Sequence, residues 1–237
     1  MFEIRVLGCY GGESHGHHSS GYLINRKILL EAGSVTTGLP EEDQLYITQV
    51  LISHAHLDHT KELIFLVDNF FSYGRKIIRL RGIPEVMLQL KDHLFNDEIW
   101  PDFTRIPARG KPVIQIEELT EMERNPVDDL MVTPIRVNHT VPTSGFIFES
   151  ETSAVVYSGD TGPTDRIWEV AGGLPHLKAV LVETSFPNGH QELALQSGHL
   201  TPSLLEGELK KLNRPEVPVY IGHMKPAFIG QITAQLT

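Results

Sequence analysis

Apolar and polar residues alternate along FEIRVLG at 2–8, the period of a half-buried strand. GYLINRKILLEAG, 21–33, predicts two short strands joined at Asn25-Arg26 and ended by Gly33. YITQVLISH reads as a buried strand whose C-terminal end reaches a group of histidines. In LDHTKELIFLVDNFF the apolar residues fall at helical spacing, which places Asp58 and His59 at a helix start. IIRLRG predicts a strand and PEVMLQLKDHLF a helix, and the strand in VDDLMVTPIRVNHT is expected to end at His139. SGFIFES, SAVVYSGDTG and AVLVETS are further strands, each finishing in small or polar residues. TPSLLEGELKKLN is a helix with Thr201 as N-cap and Pro202 at its first position. VPVYIGHMK is a last strand, ending at His223.

Strands in clusters with helices between them predict two packed sheets with helices outside, rather than one doubly wound parallel sheet. No repeat or long Ser/Gly linker divides the 237 residues, so a single domain over 1–237 is expected. Mean hydropathy of −0.12 and the lack of any apolar run near the roughly 20 residues of a membrane helix predict a soluble chain. The chain opens strand-like, with no basic and apolar leader, and its one cysteine, Cys9, has no internal partner for a disulfide. A cytoplasmic location follows as the expectation. The formal charge of −10 argues against a long nucleic-acid partner. The densest basic stretch, RKIIRLRG at 75–82, alternates with apolar residues and reads as a strand.

The chemistry is concentrated in SHAHLDHTKE, which puts His54, His56, Asp58 and His59 into six consecutive positions. Residues two apart at a strand end point the same way, so His54 and His56 pair, while Asp58 and His59 follow the turn. Such a segment can supply two ligands to each of two adjacent metal positions, and each position needs further partners. His139, Asp160 and His223 follow predicted strands and meet that need. A lone histidine at a strand end is more often a satisfied polar residue, but seven such positions together point to a metal site.

This constellation resembles the metallo-β-lactamase superfamily, whose HxHxDH motif stands here as His54, His56, Asp58 and His59. The resemblance implies an α/β fold, the αββα sandwich of two mixed β-sheets flanked by helices. It assigns His54, His56 and His139 to one metal, Asp58, His59 and His223 to a second, and Asp160 as the bridge. The family often has Asp in its LLxDAG turn where this chain has Glu31, a position read as structural support. Imidazole and carboxylate ligands without thiolate suit two Zn2+ ions, with Mn2+ or Fe2+ as alternatives. The oxygen-reducing branch typically has Glu where His56 stands, which also favours zinc.

LKDHLFNDEIWPDF (90–103), VNHTVPTSGFIFES around His139, and IGHMKP resemble segments of the class II 3′,5′-cyclic-nucleotide phosphodiesterases. That resemblance implies hydrolysis of cAMP or cGMP to the 5′-nucleotide, no membrane partner, and a homodimer as an option. His199 in HLTP and Glu183 in VETSF match the histidine and glutamate that the phosphodiesterase-like branch uses to protonate the leaving oxygen. With Asp58 orienting the attacking water, these are the implied catalytic residues. Phe95 and Trp100 are either core or a wall for a purine. Lys225 reads as a solvated lysine rather than a phosphate contact, and the His15-His17-His18 loop as support beneath the site, with Ser19 and Ser20 as hydrogen-bond partners.

Three competing readings share these residues. An RNase Z-like nuclease would need a basic arm to clamp tRNA, which no insertion here supplies. A glyoxalase II-type thioesterase usually adds a helical C-terminal domain, whereas 14 residues follow His223. A non-catalytic sensor of cyclic nucleotides would have no use for a general acid at His199.

Overall fold

The structure, a computed structural model, describes residues 3–74, 77–108 and 110–237. Phe2 of the first expected strand and Arg75 and Lys76 of the basic stretch lie outside the described residues. The chain divides into two compact units, one built from 3–8 and 18–119, the other from 9–17 and 120–237.

In the first unit a six-stranded mixed sheet runs in the order Ile4–Gly8, Gly21–Ile24, Ile28–Leu30, Gln49–Leu51, Ile78–Gly82, Ile114–Glu118. Its first three strands are antiparallel neighbours and the rest join in parallel. Asn25 and Arg26 make the predicted turn, both with positive φ (48° and 62°), the left-handed pair that matches a hairpin's twist. The helix Leu63–Ser72 buries Leu63, Leu66, Val67 and Phe70, positions i, i+3, i+4 and i+7. Pro84–His93 buries Val86, Met87 and Leu90 into the same core.

The sequence LDHTKELIFLVDNFF forms two helical pieces, Leu57–Thr60 and Leu63–Ser72. The loop after Ile28–Leu30 explains the break. Ala32 N donates to His59 O (2.7 Å), and Ala32 O accepts from Glu62 N (2.9 Å), taking the backbone groups a continuous helix would need. Glu62 in turn accepts from the amides of Thr36 and Thr37 and from both their hydroxyls, at 2.7–3.1 Å. Burial opposes its charge, but these bonds and Lys61 outweigh burial and hold the carboxyl below its usual range.

In the second unit a six-stranded mixed sheet runs Val219–Gly222, Leu177–Glu183, Ala154–Tyr157, Ser144–Glu149, Leu130–Arg136, Asn125–Val127. The first three are parallel, so their C-terminal ends share one edge, and the loops leaving that edge carry His223, Ser185 and Asp160. Helices Arg166–Gly172 and Pro202–Leu212 pack over a core containing Trp168, Val180 and Leu205. Trp168 Nε1 donates to Glu208 Oε2 (2.7 Å), which satisfies the one polar atom of a fully buried indole. Thr201 caps Pro202–Leu212 as expected, its side chain accepting from Leu204 N. The strand expected to reach His139 stops at Arg136: Val137 N still meets Thr143 O in the strand's register, but Asn138 N turns to Thr161 Oγ1 and leaves His139 in a loop.

Gly198 ends the helix Gln191–Ser197 in the left-handed conformation (φ 67°). A Cβ there would sit 2.9 Å from both Cα and Nδ1 of His139, so backbone conformation and close approach each require glycine.

Two predictions follow from these ties. Gly198→Ala should lower stability by about 1–3 kcal/mol in urea unfolding, and an unchanged midpoint would remove the constraint. For Glu62, the folded-state pKa lies below the unfolded value near 4.5, so its stabilisation is full above that value and lost as pH falls through the lower one. The stability gap between wild type and Glu62→Gln should therefore be present at pH 7 and close below pH about 4.5; a gap independent of pH would contradict this.

Candidate metal centre

In the first unit the strand Gln49–Leu51 is buried, and the chain leaves it through Ser53 and His54, neither of which reaches solvent. Ser53 Oγ lies 2.9 Å from His54 Nδ1, so the other ring nitrogen, Nε2, faces outward and sits 3.0 Å from His56 Nδ1. Two ligands on one tetrahedral ion with 2.0–2.1 Å bonds would be about 3.3 Å apart. The His59 ring lies against that of His54 (4.2 Å between centroids), with Nε2 3.8 Å from Asp58 Oδ2. His59 Nδ1 points the other way, 3.5 Å from Glu31 Oε2.

Glu31 is fully buried, holds a left-handed φ of 60°, and accepts from Ser53 N at 3.3 Å on both oxygens. One carboxylate thus fixes the backbone beside His54 and the rear of the His59 ring. The support expected of this position has a concrete form.

In the second unit His139 Nδ1 lies 2.8 Å from Gly198 O. A carbonyl only accepts, so Nδ1 carries the ring proton and Nε2 keeps its lone pair. His223 Nε2 faces Asp160 Oδ2 at 3.2 Å, while its Nδ1 is 3.0 Å from Ser185 Oγ. Glu183 Oε1 accepts from the amides of Thr161 and Leu200 (both 3.2 Å) and from His199 Nδ1 (2.9 Å). Its second oxygen accepts from Ser185 Oγ at 3.0 Å. His139, Asp160 and His199 bring ligand-type atoms within 4.8 Å of one another, and so do Glu183, His199 and His223.

Burial works against a charged His199, but the charge and hydrogen bond of Glu183 outweigh it, with Asp160 adding and Lys225 opposing. The imidazole is held above the usual histidine range.

The residues fit divalent metal ions. His54, His59, His139 and His223 each turn one ring nitrogen to an outer oxygen, from Ser53, Glu31, Gly198 and Ser185 respectively. Outer partners of this kind fix the tautomer and aim of a metal-ligating imidazole. Asp58 and Asp160 supply carboxylates, and the set without thiolate suits zinc, manganese or iron.

Every site residue expected from the sequence lies in one of these two clusters: His54, His56, Asp58 and His59 in the first unit, His139, Asp160, Glu183, His199 and His223 in the second. Sequence reasoning missed Ser53, Ser185 and Gly198. Ser185 had a faint signal, standing two past Glu183 where an extended chain turns both side chains to one side. Lys225 is corrected from solvated: it is half-buried, donates to Gly11 O (3.3 Å) and stands 5.3 Å from the Phe186 ring centre. Phe95 is core, 1% exposed, and Trp100 packs partly buried beside it, edge-on to Phe65. His17 pairs with Ser14 and with the Tyr10 ring, and among the described residues no metal-capable cluster includes His15, His17 or His18.

A family profile described as "cAMP phosphodiesterases class-II" matches residues 42–228. The chain is 29% identical to a probable 3′,5′-cyclic-nucleotide phosphodiesterase of Yersinia pestis, over 96% of this chain and 79% of that protein. In three dimensions it is similar to unliganded yeast PDE1, with a TM-score of 0.87 at 22% identity, over 99% of this chain and 92% of that one. A metallo-beta-lactamase fold protein from Bacillus subtilis superposes with a TM-score of 0.79 at 17% identity, over 99% of this chain and 90% of that one. The two mixed sheets with flanking helices are those of the metallo-β-lactamase fold. Matched along most of its length, the chain belongs to the class-II cAMP phosphodiesterase family, a family of hydrolases.

Proposed function

We propose that the protein hydrolyses a 3′,5′-cyclic nucleotide, cAMP or cGMP, to the 5′-nucleotide, using divalent metal held by His54, His56, Asp58, His59, His139, Asp160 and His223. The observation that supports this reading is the pre-set orientation of the imidazoles, three of them hydrogen-bonded from behind by an outer oxygen and His59 facing the Glu31 carboxylate at 3.5 Å. Family membership points to the substrate class. Two divalent ions, zinc for choice, polarise phosphoryl oxygens and make water nucleophilic at neutral pH when bound as a pair.

The chain's own residues supply the rest. Asp58, half-buried at the start of Leu57–Thr60, ligates and accepts a hydrogen bond from the attacking water. As the water oxygen bonds to phosphorus, the bond from phosphorus to the 3′-oxygen breaks and that oxygen needs a proton. His199 has Nδ1 committed to Glu183, so Nε2 is the nitrogen that delivers it. The Glu183 charge, which favours the imidazolium, keeps that proton available near neutral pH. A net charge of −10 favours a small anion over a long polyanion, which ranks this reading above a tRNA nuclease. Among the described residues no helix is long and apolar enough to cross a membrane.

Incubation of zinc-loaded protein with cAMP should yield 5′-AMP by chromatography. His56→Ala or Asp160→Ala should abolish turnover, and His199→Ala should slow kcat by about 10²–10⁴-fold. Zinc-loaded protein that binds cAMP and leaves it intact would make the chain a sensor and overturn the proposal.

A further inference from the structure

His223 alone among the proposed ligands has a left-handed backbone, φ 56°, a conformation uncommon outside glycine. Its surroundings hold it there. Its amide donates to Cys9 O at 2.6 Å, and its carbonyl oxygen lies 3.0 Å from Ser185 Oγ. Gly11 leaves room for it, since a Cβ there would stand 2.5 Å from His223 O and 2.7 Å from Nδ1. The same Ser185 hydroxyl lies 3.0 Å from His223 Nδ1, 3.0 Å from Glu183 Oε2 and 3.2 Å from His199 Nδ1. Ser185 is wholly buried, so these neighbours are the partners it has to use.

A hydroxyl has one proton to give and two lone pairs to offer. With Nε2 giving its lone pair to a metal ion, as proposed above, the ring proton belongs on Nδ1, which stands 3.0 Å from Ser185 Oγ and donates to it. The serine hydroxyl then donates to Glu183 Oε2, whose other oxygen accepts from His199 Nδ1. A backbone-only role would need the bond to the His223 carbonyl and nothing else, yet the hydroxyl is placed against both rings and the carboxylate.

We propose that Ser185 is a positioning residue that locks His223 in the Nδ1–H tautomer and joins this ligand to the Glu183–His199 pair. The inference rests on His223 being a metal ligand, as proposed above. Losing such an outer partner typically weakens metal binding about 10–100-fold. Ser185→Ala should therefore weaken the site to which His223 belongs by that factor and leave the other near its wild-type affinity.

The test uses the full chain, stripped of metal and titrated with Zn2+ against a chromophoric chelator. The visible spectrum of the Co2+-loaded form and the melting point of the metal-free form are recorded alongside. The expected result is two zinc ions per wild-type chain, one of them weakened about 10–100-fold in Ser185→Ala. An altered cobalt spectrum and a nearly unchanged metal-free melting point complete it. Equal affinities and spectra in wild type and variant would overturn the inference while leaving the ligand assignment standing. A wild-type chain that takes up no zinc would remove the ligand assignment and this inference together. Should the alanine chain fail to fold, Ser185→Cys fills the space with a much weaker acceptor. It should show the same loss of affinity, and wild-type affinity in that variant would overturn the inference.

Discussion

An imidazole offers a cation a lone pair from one nitrogen, and the proton on the other must go somewhere. In a buried cluster of histidines this disposal of protons is the controlling constraint, because an unpaired N–H away from water is costly. The chain meets it with ordinary oxygens, by hydrogen bond at Ser53 Oγ, the Gly198 carbonyl and Ser185 Oγ, and sets the Glu31 carboxylate 3.5 Å from His59 Nδ1. The sheet topology puts them there. In the second unit the three parallel strands deliver the Asp160, Ser185 and His223 loops along one edge, so ligand and support come from neighbouring chain ends. The left-handed backbone at Glu31, Gly198 and His223 is part of the same arrangement, since each bends the chain sharply where a side chain or carbonyl must meet a ring.

Much of this was legible in the sequence. The apolar periods located the strands around Ile28–Leu30, Gln49–Leu51 and Leu177–Glu183, and the Asn25-Arg26 hairpin and Thr201 cap followed from local chemistry. His54, His56, Asp58 and His59 announced themselves by spacing, and His139, Asp160 and His223 by standing beyond strand ends. What stayed hidden depends on contacts between distant residues. Nothing near Lys61 says that Ala32 will take the hydrogen bonds of His59 and Glu62 and split the helix. Nothing near Gly198 says that its carbonyl meets His139, 59 residues earlier. Lys225 looks like a surface lysine until Gly11 O and Phe186 are found beside it.

Glu31 shows how a departure from the familiar pattern is absorbed. The superfamily resemblance leads one to expect Asp there, and the longer side chain reaches the Ser53 amide and the rear of His59 together. The carboxylate is kept, and with it a negative charge 3.5 Å from His59 Nδ1. The two carboxylates behind the rings, Glu31 in one unit and Glu183 in the other, differ in use. Glu31 faces the proposed ligand His59 directly, while Glu183 serves the candidate acid and reaches the proposed ligand His223 through Ser185.

The central claim is that these residues bind metal and that bound metal is required for hydrolysis of the cyclic phosphate. The most direct measurement is cAMP turnover by metal-stripped protein as zinc is added back in known equivalents, with bound zinc determined by elemental analysis of the same samples. The account predicts no turnover without metal and activity that rises to a plateau at two zinc ions per chain. Full activity in the stripped protein, or zinc bound with no turnover at any loading, would contradict it.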